Sequence, residues 1–162
     1  MTSQSANSVK DRRLRQAVKP DYVSALGMAA WSFASLEWQV VCCCEKIKPG
    51  VLRRIVNEEM TAGVIAKCFI DLARNMPRSS EREELKVLAS EFSSLVQIRN
   101  RILHGKPCTG PNGESRLSST TVFEISDLED AADAFAQCSS RLNELFYGFL
   151  ASYRASGSAG DA

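Results

Sequence analysis

The chain has 162 residues, 44% of them apolar, which is long enough for one hydrophobic core and short for two. Lysine and arginine total 20 against 19 aspartate and glutamate, a net charge of +1, so the chain is no polycation and any nucleic-acid contact must come from local patches. Its six cysteines include the consecutive Cys42, Cys43 and Cys44 and form no CxxC pair, which argues against a disulfide framework or a thiolate metal centre and for reduced thiols in a cytoplasmic interior.

Residues 1–19 are polar, with Lys10, Arg12, Arg13, Arg15 and Lys19 against Asp11: five positives minus one negative, a local charge of +4. They read as a flexible basic arm, able to grip a phosphate backbone or simply to stay solvated, and with no apolar core behind the charge they do not read as a secretory signal. A helical-bundle domain is expected over residues 20–154. Pro20 and Asp21 open its first long helix and Pro49-Gly50 close it, with Val23, Leu26, Ala30, Phe33, Val40, Cys44 and Ile47 as the seam that should be buried. Glu37 falls in that seam. The span from Val23 to Cys44 approaches bilayer length, but Ser24, Ser32, Ser35, Glu37 and Gln39 argue against a membrane helix. Trp31 and Trp38, seven apart, suit packing or a dimer contact better than base stacking.

Val51 to Met60 is either a short helix or an irregular link. Thr61 should cap a second long helix through Val64, Ile65, Cys68, Phe69 and Leu72 to Met76, and Pro77 to Ser80 break it. Ser80 and Glu83 read as a capping box for a third long helix ending at His104, its acidic first turn matching the helix dipole. Gly110-Pro111-Asn112-Gly113 is a turn signature, and the β-branched run from Thr120 to Ile125 predicts a short hairpin or ordered loop between the third and fourth helices. Ser126 and Glu129 read as the capping box of a last helix burying Leu128, Ala131, Phe135, Cys138, Leu142, Leu145 and Phe149. Residues 155–162, ASGSAGDA, read as a disordered tail. The expected fold is therefore all-α, a four-helix up-and-down bundle with one small insertion.

The chemistry concentrates in IRNRILHG, Ile98 to Gly105, which holds the only histidine. Upstream apolar residues at Leu85, Leu88, Phe92 and Leu95, then Ile102, mark a buried seam, and Arg99 sits where a leucine would be expected. An arginine there needs a carboxylate partner or faces a cleft or subunit interface that accepts anions. Glu37 is the matching isolated acid, so a Glu37–Arg99 ion pair is expected. Asn100 and His104, four apart, share a helix face, and Gly105 and Pro107 end the helix just after the imidazole.

This wording, R-N-x-x-x-H closing a long amphipathic helix of a small helical chain, resembles the HEPN superfamily. The resemblance implies a four- to five-helix bundle, often dimeric, with Arg99, Asn100 and His104 as the catalytic set of a ribonuclease. It also implies a shared cleft between two chains joined through their third long helices, RNA as substrate, and an antitoxin or nucleotidyltransferase as a possible regulatory partner in a toxin or defence role. RNA cleavage by its own 2′-hydroxyl needs a base, an acid and positive charge on the phosphorane. Imidazole titrates near neutrality and guanidinium forks onto two phosphate oxygens, so His104 and Arg99 supply that inventory with Asn100 as the orienting group and Glu37 in support. No metal or other cofactor is called for, and one histidine with scattered cysteines offers no metal ligand set. The alternative is a non-catalytic helical module that binds nucleotide, RNA or a protein partner through the same surface.

Overall fold

In the computed structural model the described residues are 17–154; the basic-arm reading of residues 1–16 and the tail reading of 155–162 lie outside them. Helix α1 runs Pro20–Ile47, with the proline in its first turn, where a missing N–H costs nothing. The chain reverses at Lys48 to Gly50, and α2, Val51–Asn57, fills the ambiguous stretch. Glu45 joins the two: its carboxylate accepts the backbone N–H groups of Gly50 at 2.9 Å and Leu52 at 2.8 Å, orphan donors at the start of α2. Helix α3, Ala62–Asn75, follows, then α4, Ser80–Leu103.

The cap of α4 is Ser79, one residue earlier than the expected Ser80; its hydroxyl accepts the Arg82 N–H at 3.0 Å. Helix α5, Ile125–Tyr147, likewise begins before the expected Ser126. Glu124 and Asp127 form its reciprocal capping box, since strand pairing at Phe123 brings Glu124 to the helix entrance first. The last helix also stops sooner than expected, breaking at Gly148 before the short α6, Phe149–Ser152, which leaves Phe149 only partly buried and puts Leu150 in the core.

The protein is mostly helical with a small antiparallel sheet. Helix α1 packs along α5, α3 against α4, and α4 against α5, with α1 also meeting α3. Phe33 of α1 stacks on Phe92 of α4 with ring centroids 6.0 Å apart and meets Phe135 of α5 edge-on at 5.2 Å, so three helices converge on one aromatic cluster. Truncating a buried phenylalanine of this kind typically costs about 3–5 kcal/mol. The buried face of α1 is rotated from the expected seam: Tyr22, Ala25, Ala29 and Leu36 are buried with Phe33, Val40, Cys44 and Ile47, while Leu26 and Ala30 are half-buried and Val23 is exposed. Among the described residues no helix is long and apolar enough to cross a membrane.

The insertion is larger than a hairpin. Strands β1, Lys106–Thr109, β2, Ser115–Ser118, and β3, Val122–Phe123, form a sheet in that order, with Cys108 opposite Arg116 and Leu117 opposite Phe123. Gly113 closes the first turn at φ +81°, a left-handed conformation suited to glycine. The sheet is pinned to the start of α1. The Tyr22 hydroxyl accepts the Leu117 N–H at 3.0 Å, and the Arg116 guanidinium lies 4.8 Å from the Tyr22 ring centre between Glu114 and Glu124, at 3.4 and 3.2 Å. This explains the rotated seam, because Tyr22 must face inward for its hydroxyl to reach the sheet.

Candidate functional site

The last two turns of α4 carry the candidate residues, and the backbone fixes where they can go. The His104 N–H closes the helix on the Asn100 carbonyl at 3.0 Å, and the Gly105 N–H bonds Ile102 at 3.1 Å. A Cβ on Gly105 would stand 3.0 Å from the Ile102 carbonyl oxygen and 3.1 Å from Leu117 Cβ, so glycine lets the chain turn from helix into β1 without a gap. His104 is consequently held at the junction of helix and sheet, with its side chain exposed.

Arg99 is half-buried beside the core. Its guanidinium carbon lies 5.1 Å from the centre of the Phe33 ring, the aromatic face supplying part of the stabilisation that a carboxylate would otherwise give. One Nη donates to Asn100 Oδ1 at 2.9 Å, which orients the fork. The Nε–H is buried and has no hydrogen-bond partner among the described residues. A buried donor left without an acceptor is costly, and an arriving anion would satisfy it.

Glu37 and Arg99 face the same surface depression, about 320 Å3 in volume, whose walls also include Ala30, Phe33, Trp38 and Leu103. The expected Glu37–Arg99 ion pair does not form: no oxygen of Glu37 lies within 4.0 Å of the guanidinium nitrogens, and the direct partner of Arg99 is its own neighbour Asn100. The two charges still interact through space. Burial raises the Glu37 carboxyl above the ordinary carboxylate range, and the positive charge of Arg99 pulls it partly back.

Of the four residues singled out in the sequence, Arg99 and Asn100 are thus in direct contact and Glu37 shares the depression with them. His104 is one helical turn beyond Asn100, and its imidazole makes no hydrogen bond to them among the described residues. Sequence reasoning did not place Phe33, Trp38 and Leu103 at this site. Phe33 read as seam only, yet it serves both the core and the guanidinium. Trp31, 72% exposed, and Trp38, 55% exposed, are not packed inside; with Met28 they form an apolar outer face on α1, and Leu103 of α4 is exposed beside the same depression as Trp38. The signal for this was their phase, since a residue two positions from a core residue points about 200° away from it.

The arrangement offers a cation with donors free among the described residues, an amide that orients it, and an exposed imidazole at the end of the same helix. Lys106 is exposed just beyond that end. Comparison with family models, curated proteins and solved structures finds no match for this chain.

Proposed function

We propose that the protein is a metal-independent endoribonuclease of the HEPN type, working as a homodimer in a toxin or defence setting. The observation that supports this most is Arg99: a half-buried guanidinium with one Nη held by Asn100 and a buried Nε–H that has no acceptor among the described residues, at the end of the helix that presents His104. In this reading the four long helices α1, α3, α4 and α5 are the up-and-down bundle of that family, and the sheet is its insertion. Arg99 forks onto two non-bridging oxygens of the scissile phosphate and stabilises the phosphorane. His104 takes the 2′-hydroxyl proton or delivers one to the departing 5′-oxygen.

One chain supplies one imidazole, whereas the reaction uses both a base and an acid. Two copies meeting on the exposed face of α1 and the end of α4 would bring two His104 and two Arg99 to one cleft. The apolar outer face beside Arg99 supports a second copy there.

The test is cleavage of a defined RNA by the folded protein in the presence of a chelator. Products should carry a 2′,3′-cyclic phosphate and a free 5′-hydroxyl, and a 2′-deoxy nucleotide at the scissile position should resist. His104→Ala should lower the rate by about 10²–10⁴-fold, the usual weight of a general acid or base, with circular dichroism unchanged. Arg99→Lys should not restore what Arg99→Ala removes, because an ammonium lacks the planar fork. Undiminished cleavage by folded His104→Ala protein would overturn the assignment. A second reading, a module that binds nucleotide, RNA or a protein partner without cleaving, is favoured by the side-chain geometry of Asn100, whose oxygen is turned to Arg99 and not to His104. Under that reading Arg99→Ala abolishes binding and His104→Ala leaves it intact.

A further inference from the structure

The depression beside Arg99 has a lining that phosphate binding alone does not use. Ala30 and Ala34 of α1, one turn apart, contribute no side chain beyond Cβ, which leaves a hollow of about 320 Å3 lined by α1 and α4. That is near the lower end of the roughly 300–1,000 Å3 found for small-molecule pockets, room for one nucleotide base and not for a longer segment. Two large apolar side chains border it, Trp38 of α1 at 55% exposure and Leu103 of α4 at 47%. Glu37, next to Trp38, is half-buried in the same hollow and has no ion-pair partner among the described residues. A small cation drawn to that carboxylate would be repelled by Arg99 in the same depression. A neutral group with two adjacent N–H donors meets no such penalty, and among the RNA bases guanine alone presents one, N1–H beside its 2-amino group. Adenine and cytosine place a ring acceptor beside their amino group, and uracil flanks its single N–H with carbonyls, so each turns a lone pair toward the carboxylate.

We propose that this depression is a guanine pocket, in which Glu37 accepts N1–H and the 2-amino group, Trp38 stacks on the base and Arg99 holds the adjoining phosphate. The proposal rests on the RNA reading of Arg99 given above and deepens it, naming guanosine as the nucleotide beside the phosphate. The indole supplies affinity that any base could draw on, and the carboxylate supplies the choice among bases, since hydrogen bonds to a charged acceptor are the stronger and more directional ones. Trp38 thereby takes a role that its spacing from Trp31 did not favour. Met28 and Trp31 do not line the depression and remain available to a second copy.

The probes are the 3′,5′-bisphosphates of guanosine, inosine and adenosine, which carry a phosphate on either side of the ribose and no internucleotide bond to cleave. Calorimetric titration of the full chain at pH 8 should give the guanosine compound an affinity about 5- to 100-fold above that of the adenosine compound, the weight of a two-bond base contact. Inosine should fall between them, because it keeps N1–H and lacks the 2-amino group. Of the two tryptophans, Trp38 is read alone in a Trp31→Phe protein, and its fluorescence should be quenched as the guanosine compound saturates. Glu37→Gln, with circular dichroism unchanged, should level guanosine and adenosine, whereas Arg99→Ala should weaken all three compounds alike. Failure of the guanosine compound to bind the wild-type chain, equal affinities for guanosine and adenosine, or a preference that survives in folded Glu37→Gln protein would each sink the pocket. Guanosine-selective binding by a chain that cleaves no RNA leaves the pocket in place and removes the ribonuclease. Cleavage beside all four nucleotides without guanosine selectivity does the reverse.

Discussion

Arg99 engages its guanidinium with a ring face and one amide oxygen, leaving most of its five donors without a partner among the described residues. What keeps it unpaired is the half-buried position of Glu37, near enough to feel its charge and too far to bond. Burial is the larger influence on Glu37 and the attraction of Arg99 the smaller. The folded state therefore holds a proton on Glu37 more tightly than the unfolded chain does. Its contribution to stability is fully present below the unfolded carboxyl value of about 4.3 and is lost as pH rises through the higher folded value. Glu37→Gln should remove that loss and stabilise the protein at pH 7 by about 0.5 kcal/mol, the scale of a half-exposed charge, measured by urea denaturation at pH 4 and pH 7. A variant less stable at pH 7 would mean that attraction to Arg99 outweighs burial. Removing the same carboxylate also removes a negative charge beside Arg99, so under the proposed function an RNA without guanine should bind the variant more tightly.

At the scale of elements, the joint between α1 and α2 depends on one carboxylate. Glu45 accepts two backbone N–H groups at the start of α2, a helix of only seven residues that cannot persist without tertiary support. These bonds, the one from Gly50 first and that from Leu52 next, hold the Glu45 carboxyl below its ordinary range. The stability it contributes is therefore present above the unfolded carboxyl value and lost as pH falls through the folded one, the opposite sense to Glu37. Glu45→Ala should cost about 1 kcal/mol at neutral pH, the usual loss for a removed cap, and should raise hydrogen exchange selectively in α2. Equal protection of α2 in both proteins would show that packing of Val51 and Ile55 alone maintains it. At the other end of the molecule Gly105 and Tyr22 do comparable work, one letting the sheet start directly after His104 and the other bonding its middle strand.

Across the whole molecule, several apolar side chains are exposed, and two of them, Trp38 and Leu103, line the candidate depression, with Met28 and Trp31 on the outer face of the same helix as Trp38. Met28, Trp31, Trp38 and Leu103 are between 47% and 72% exposed, with Trp31 the most accessible. Together they present roughly 500 Å2, over half of the ~800 Å2 that each partner buries in a standard interface. If two copies meet on this face as proposed, Trp31→Ser with Trp38→Ser should yield a folded monomer in sedimentation velocity at concentrations where the wild-type chain sediments as a dimer. Under the proposed shared-cleft ribonuclease, RNA cleavage per chain should fall in parallel, and should fall for the wild type on dilution to monomer. A double variant that sediments as the wild type does would remove this face from the interface. Full activity in a demonstrated monomer would remove the shared cleft.

The helical periodicity of the chain, its Pro-Gly and Pro-Ser breaks and the turn signature at residues 110–113 determined the main helices and the place of the insertion, because these are local signals that act within a few residues. They also singled out Arg99 and Glu37, since a lone charge in an apolar pattern stands out without any structure, whereas Asn100 and His104 were singled out by their four-residue spacing and by the R-N-x-x-x-H resemblance. Which serine or glutamate caps α4 and α5, which face of α1 turns inward, and whether the run after Ser119 adds a third strand were decided by contacts between distant residues, chiefly Tyr22 with Leu117 and Leu117 with Phe123. The partner of Arg99 was decided in the same way. Charge alone favours Glu37, but side-chain reach and the position of the Phe33 ring place the guanidinium against Asn100, and both are properties of packed helices that no linear pattern contains.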